Sequence, residues 1–162
     1  MIPSDHFVRF YNEVFKFLDE KQGLEPYYAH ISAHQEFHCL DVFSRDGIKG
    51  MYDYYIKIRK EENCGLEMEL TKDMLDIRMV RCPSLSKAVD NDAGACSKYC
   101  LHCPGWLLPL AKKAGIKMIF DVMEPDQPRC RFWSFDDSDK AREKYEELIK
   151  SIPAEQLRKN FE

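Results

Sequence analysis

Three cysteines fall within eight residues, in the run Cys96-Ser-Lys-Tyr-Cys100-Leu-His-Cys103. Steps of four and three residues place their thiols on one face of a helix, about a turn apart. Such a face can do three things. It can pack as a row of small apolar groups, it can present a reactive thiol, or it can offer Cys96, Cys100 and Cys103 to a soft metal such as zinc. A closed metal site would need a fourth ligand from another element. As a nucleophile, Cys100 is the preferred choice, with Cys103 or a nearby histidine setting its ionisation. Beside an imidazolium or a helix N-terminus its pKa would fall from ~8.5 towards neutrality.

A second pattern is His30-Ile-Ser-Ala-His34-Gln-Glu-Phe-His38, three imidazoles at successive four-residue steps. Two rings one turn apart can chelate a transition metal, and an exposed row can equally be solvated. No glutamate follows the first histidine, so the zincin arrangement is absent. His34 and His38 are the candidates for contact with a ligand. A third set is scattered: Cys82 ends one expected strand, Cys130 sits in another, and Cys100 lies between them. With Cys39 and Cys64 the total is seven. The count is odd and Met1 to Phe10 has no cationic region leading into an apolar stretch, so reduced thiols and a cytoplasmic location are expected.

These groups have to be held by elements that the hydrophobic periodicity outlines. Residues 4 to about 21 read as an amphipathic helix ending before Gly23, a second helix runs from near Pro26 to about Ser44, and a third covers 48–61. The period then changes to two. Met68, Leu70, Leu75, Ile77 and Met79 alternate with polar residues and predict a hairpin across 66–82. A short helix over 84–90 follows. A longer one is expected from about Gly94 to Ala114, divided or bent by Pro104 and Pro109, with Gly115 as its stop. Residues 116–123 and 129–135 form a second hairpin. A charged helix from the Asp136-Asp137-Ser138-Asp139 cap to about Ser151 follows, and Pro153 starts a final short one.

Strands grouped in pairs predict an α+β class: an antiparallel sheet of about four strands covered by helices, with an N-terminal helical region. A single domain spans 1–162, with N-terminal helices in 1–63, two hairpins and their intervening helix in 64–135, and C-terminal helices in 136–162. At 162 residues, 44% hydrophobic and 32% charged, the chain can bury a core without a disulfide or metal staple. The formal charge of −4 and the lack of a basic run argue against nucleic acid as a partner. No apolar run approaches the ~20 residues that span a bilayer, so no membrane partner is expected. Phe10, Phe15, Phe17, Tyr52, Tyr54 and Tyr55 supply more aromatic surface than one face of each helix can bury, which suggests a homo-oligomer.

The segment Val80-Arg81-Cys82-Pro83, then Cys96-x3-Cys100, a helix to Gly115, an apolar strand and Arg129-Cys130-Arg131-Phe132 resembles the L-2-amino-thiazoline-4-carboxylic acid hydrolase family. More distantly, it is similar to small-molecule-binding domains of the four-vinyl-reductase type. The resemblance covers roughly residues 66–135. It implies an α+β domain enclosing a small ligand and, in the enzyme members, hydrolytic opening of a cyclic amidine at a carbon–nitrogen bond. Its matched positions are Cys82, Cys96, Cys100 and Cys130. The catalytic candidates are then Cys100, Cys82 and Cys103, with Cys96, Cys130, His34 and His38 contacting the ligand. The alternative is a non-catalytic domain that holds a small molecule or soft metal on the same cysteines and histidines.

Overall fold

The computed structural model describes residues 3–34, 37–62, 64–90, 94–123 and 127–162. Helix α1 covers Pro3–Glu20, α2 Leu24–His34, and α3 Phe37–Glu61. The turn out of α1 is made by Gln22 itself, at φ 56, with the Gly23 N–H donating to the Leu18 carbonyl at 2.8 Å. A non-glycine thus takes the left-handed position, one residue before the expected glycine stop. The expected second helix corresponds to α2 up to His34 and to α3 from Phe37, and residues 35 and 36 lie outside the described residues. Helix α3 instead continues through Gly47, whose φ of 58 and ψ of −142 put a kink in it. Asp136, just past a strand on the far side of the fold, accepts a hydrogen bond from the Ile48 N–H at 3.0 Å. It therefore caps the second half of α3 across 88 residues of sequence.

The first hairpin forms as the alternation predicts. Strand β1 (Gly65–Leu70) pairs with β2 (Leu75–Arg81), and Glu67 and Glu69 face outward while Leu66 faces the core. Thr71 closes the turn by accepting from the Met74 N–H at 3.0 Å. The short helix α4 (Pro83–Val89) begins on Cys82. Helix α5 (His102–Lys113) tolerates Pro104 in its first turn, where no backbone donor is needed, and carries Pro109 inside. Gly115, at φ 80, ends it as expected, with the Ile116 N–H donating to the Ala111 carbonyl at 2.9 Å. Strands β3 (Lys117–Asp121) and β4 (Cys130–Phe135) form the second hairpin, and α6 (Ser138–Leu148) starts on its Asp137 cap.

The fold is α+β, with one antiparallel sheet of five strands rather than four, in the order β1-β2-β4-β3-β5. The additional strand, β5 (Leu157–Lys159), pairs with β3. Asn160 fixes it by accepting from the Met118 N–H at 2.8 Å and donating to the Leu108 and Ile116 carbonyls. One sheet face, with Ile77, Met118, Phe120 and Phe132, packs beneath Phe43, Met51 and Leu110 of α3 and α5. The other, with Ile119, Trp133 and Phe135, packs on Ala141 and Leu148 of α6. A separate helical core joins Phe15, Leu24, Tyr28, Leu85, Ala88, Cys96 and Tyr99. No helix among the described residues is long and apolar enough to cross a membrane.

Residues 94–98 are not helical, contrary to the expectation for 94–114. The fully buried Asn12 of α1 is the reason. Its amide donates to the Gly94 carbonyl at 2.9 Å and its oxygen accepts from the Cys96 N–H at 2.8 Å. That pairing satisfies the backbone in an extended form, so a helix would have to break two hydrogen bonds inside the core. Helical structure starts only at the 3-10 turn Tyr99–Leu101.

Candidate functional site

The loss of the 94–98 helix separates the three clustered cysteines. Cys96 is buried in the helical core beside Phe15 and Tyr28, Cys100 sits in the 3-10 turn, and Cys103 alone belongs to α5. Four thiols do meet, but as a different set. Cys82, Cys100, Cys103 and Cys130 line one small, partly open cavity, together with Leu85, Tyr99, His102, Phe120, Val122 and, as its charged residues, Asp121 and Arg129. Each arrives from its own element. The Cys82 sulfur caps α4 by accepting from the Leu85 N–H at 3.3 Å, and Cys130 opens β4 opposite Met79. The cavity is small, about 30 Å³, room for roughly two water molecules.

Burial pushes all four thiols up, Cys100 and Cys103 to about 12. The expected fall of Cys100 towards neutrality is thus reversed. Its place at the mouth of α5 is outweighed by loss of solvent, and its neighbouring charge-bearing groups are other thiols. Cys103 has a defined partner. His102 Nδ1 lies 2.5 Å from the Tyr99 carbonyl and Nε2 lies 3.3 Å from the Cys103 sulfur. The carbonyl can only accept, so Nδ1 carries the proton and the Cys103 thiol donates to Nε2. Burial lowers the imidazole pKa as well, so both members of the pair are neutral near pH 7.

The metal expectation for Cys96, Cys100 and Cys103 does not hold geometrically. Cys96 faces away from the cavity, and among the described residues no group of three or more Cys, His, Asp or Glu side chains is placed to hold a metal ion. His34 is exposed, stacked on His30 at 4.3 Å between ring centres, with Nδ1 2.9 Å from the His30 carbonyl. It takes no part in the cavity, and the side chain of His38 lies outside the described residues. All seven cysteines are free thiols and none is in the exposed class. A thiol reagent added to the native, reduced protein should therefore label far fewer than seven sites within the time that labels all seven in denaturant. Equal rates in the two conditions would show that the cavity is fully open.

A larger cavity lies on the other side of Tyr99 and His102. It measures about 600 Å³, well within the range of ligand pockets, and is walled by Tyr11, Phe15, Tyr27, Tyr28, Tyr99 and Trp106. Phe15 is its hub, with ring centres 5.5 Å from Tyr28, 5.5 Å from Tyr99 and 5.7 Å from His102. Trp106 meets the His102 ring edge-on at 5.5 Å. Close approach of α2 and α5 builds this wall: a Cβ on Gly105 would come within 2.9 Å of the Tyr28 ring. The Tyr28 hydroxyl is fully buried and has no hydrogen-bond partner, whereas that of Tyr99 is 2.6 Å from Ser84 Oγ. Glu61, Glu62 and Lys87 are the charged residues along the lining.

This aromatic cavity was not visible in the sequence. Its walls come from α1, α2, the end of α3, α4, the 3-10 turn and α5, and only the last two are neighbours in the sequence. Phe15, counted as surplus surface, is only 5% exposed. The surplus is real at Phe10 and Phe17, at 64% and 59%, while Tyr52, Tyr54 and Tyr55 pack partly against the sheet core. No protein-family model, curated protein or solved structure matches the chain.

Proposed function

We propose that this chain is a small-molecule-binding domain whose ligand occupies the aromatic cavity, with the neutral His102 at its inner wall. The observation that carries this reading is the 600 Å³ volume itself, lined by six aromatic rings. The thiol cavity is too small for a substrate and serves here as packing behind the His102 wall.

The reading is tested with the uncharged fluorophore N-phenyl-1-naphthylamine. One molecule should bind per chain, and Ile31→Trp, which fills the cavity from α2, should weaken it at least tenfold. Phe17→Ser, on the exposed face of α1, should leave it unchanged. Binding that survives the first substitution and fails with the second would place the dye on the helix surface and end the proposal.

The His102–Cys103 pair supports a second reading, the hydrolase activity implied by the resemblance. A thiol hydrogen-bonded to an oriented imidazole is the arrangement a nucleophile requires. Cys103 lines the small thiol cavity and not the aromatic one, so this reading requires the turn at Tyr99–Leu101 to move aside; its sulfur would then add to the amidine carbon as its proton passes to His102 Nε2. That proton would then go to the departing ring sulfur, and water attacking the carbon left on Cys103 would release N-carbamoyl-cysteine and restore the thiol. Purified protein should then open 2-amino-thiazoline-4-carboxylate, and Cys103→Ala should abolish the activity while Cys100→Ala reports on the other candidate nucleophile. A wild-type protein that leaves this compound intact supports binding without catalysis.

A further inference from the structure

We infer that the outer face of α1 is a dimer interface, covered by α1 of a second copy of this chain running antiparallel across a two-fold axis near Val14. The inference does not depend on what fills the aromatic cavity.

Helix α1 has two apolar faces. The inner one carries Val8 and Phe15, which join the helical core, and the buried Asn12. The outer one carries Phe7, Phe10, the half-buried Val14 and Phe17. Their steps of three, four and three are the spacing with which one helix seats its side chains between those of another. A helix on the surface of a monomer has one apolar stripe, not two. Seven large hydrophobic side chains are exposed among the described residues, and four of them are on α1: Phe7 at 61%, Phe10 at 64%, Tyr11 at 45% and Phe17 at 59%. With about 150–250 Å² for a whole aromatic side chain, these fractions leave about 350–550 Å² of ring surface bare. A stable dimer buries about 800 Å² on each partner, about 65% of it apolar in homodimers, or roughly 500 Å². The outer face of α1 is of that size.

The charges beside this seam favour a second copy as the occupant. Arg9, Glu13, Lys16 and Glu20 follow at steps of four, three and four, in one stripe of alternating sign. Glu13 and Lys16 pair at 2.9 Å within the helix, so they share that flank. Read in the opposite direction, the stripe sets Arg9 against Glu20 of the copy and the Glu13–Lys16 pair against its own reversed image. In the same register Phe10 falls beside Phe17 of the copy, and Val14 meets Val14. A lipid surface is the other occupant an apolar helix face can take, and helices that lie on membranes carry an excess of Lys and Arg on the polar face. The stripe is balanced, two of each sign. Beyond it, Lys21 lies over the Phe17 ring and Asp19 pairs with Lys98, which adds one charge of each sign.

Sedimentation velocity of the full chain from about 1 to 200 μM, the range in which a modest interface of this size assembles, reads the mass directly. It should rise to twice that of one chain. Phe10→Glu/Phe17→Glu should remain monomeric throughout with an unchanged circular dichroism spectrum, since both rings lie outside the core. Arg9→Glu and Glu20→Arg should each weaken association severalfold at low salt, and the two combined should restore it. A wild-type chain that stays monomeric at the highest concentration overturns the proposal, and so does a dimer that survives the two glutamates, because it uses another surface. A chain that stays monomeric and pellets with phosphatidylglycerol vesicles would assign the face to lipid instead. Charge reversals that do not rescue one another would overturn the antiparallel register.

Discussion

Replacing Gly47 with alanine is expected to destabilise the protein by about 2–4 kcal/mol, more than any other single-methyl addition at a glycine of α1–α3. Two independent costs meet there. A φ of 58 with a ψ of −142 belongs to a region that side-chain-bearing residues enter at about 1–3 kcal/mol. The new Cβ would also sit 2.5 Å from the Asp136 carboxylate, which must then move off the Ile48 N–H it caps. A lost cap of this kind costs about 1 kcal/mol, the effect expected for Asp136→Ala alone. Because the second cost exists only while the carboxylate is present, the two substitutions should be clearly sub-additive in a double-mutant cycle by urea unfolding. A loss below about 0.5 kcal/mol for Gly47→Ala would mean that α3 runs straight through this position without the kink.

The kink also shows where sequence reading succeeds and where it stops. Gly115 is expected as a helix end and Gly47 falls in the gap between the helices expected to about Ser44 and over 48–61, and both take positive φ. At Gly115 the chain leaves the helix, since the next residues are an apolar strand with β4 to pair with. At Gly47 the helical hydrogen-bonding resumes, because a carboxylate from 88 residues away supplies the missing cap. Period-two alternation marks the first hairpin, and the apolar run over 116–123 marks the second, whose strands are buried almost throughout. Strand β5 escaped: three residues carry no period, and their pairing depends on the exposed edge of β3 and on Asn160.

The same division runs through the candidate site. The meeting of Cys82, Cys100 and Cys130 with Cys103 was legible, since strand ends and the start of α5 must converge at one end of the sheet. The inclusion of Cys96 was an error of local reasoning. Helical spacing placed it with the other two, but Asn12 holds its backbone in a form that spacing rules cannot anticipate. In the histidine row, His30 and His34 do share a face and that face is exposed to solvent, while the side chain of His38 lies outside the described residues. His102 was overlooked as one residue inside a cysteine motif, although it touches both cavities and holds the proton arrangement between them.

Alkaline pH should unfold this protein unusually early for a domain of its size. Burial raises the thiols of Cys100, Cys103 and Cys130, the first two to about 12, whereas in the unfolded chain each returns to ~8.5. Below about pH 8.5 both states hold these protons and the full stability is present. Above it the unfolded chain binds fewer protons than the folded one, so stability falls as pH rises towards the folded values. The slope is about 1.4 kcal/mol per pH unit for each thiol, or about 4 kcal/mol per unit for the three, with Cys82 adding in the same direction. Against a total of about 5–15 kcal/mol for an ordinary domain, that places the unfolding midpoint between about pH 10 and 12. Denaturant unfolding under reducing conditions, repeated from pH 7 to 10, measures the slope directly. The double variant Cys103→Ala/Cys130→Ala should start less stable at pH 7, from the space it leaves, and then lose stability with pH about a third as steeply through the remaining member of the three. A wild-type profile that stays flat to pH 10 would require water to reach the sulfurs in the folded state, and the shielded thiol cavity would then be wrong.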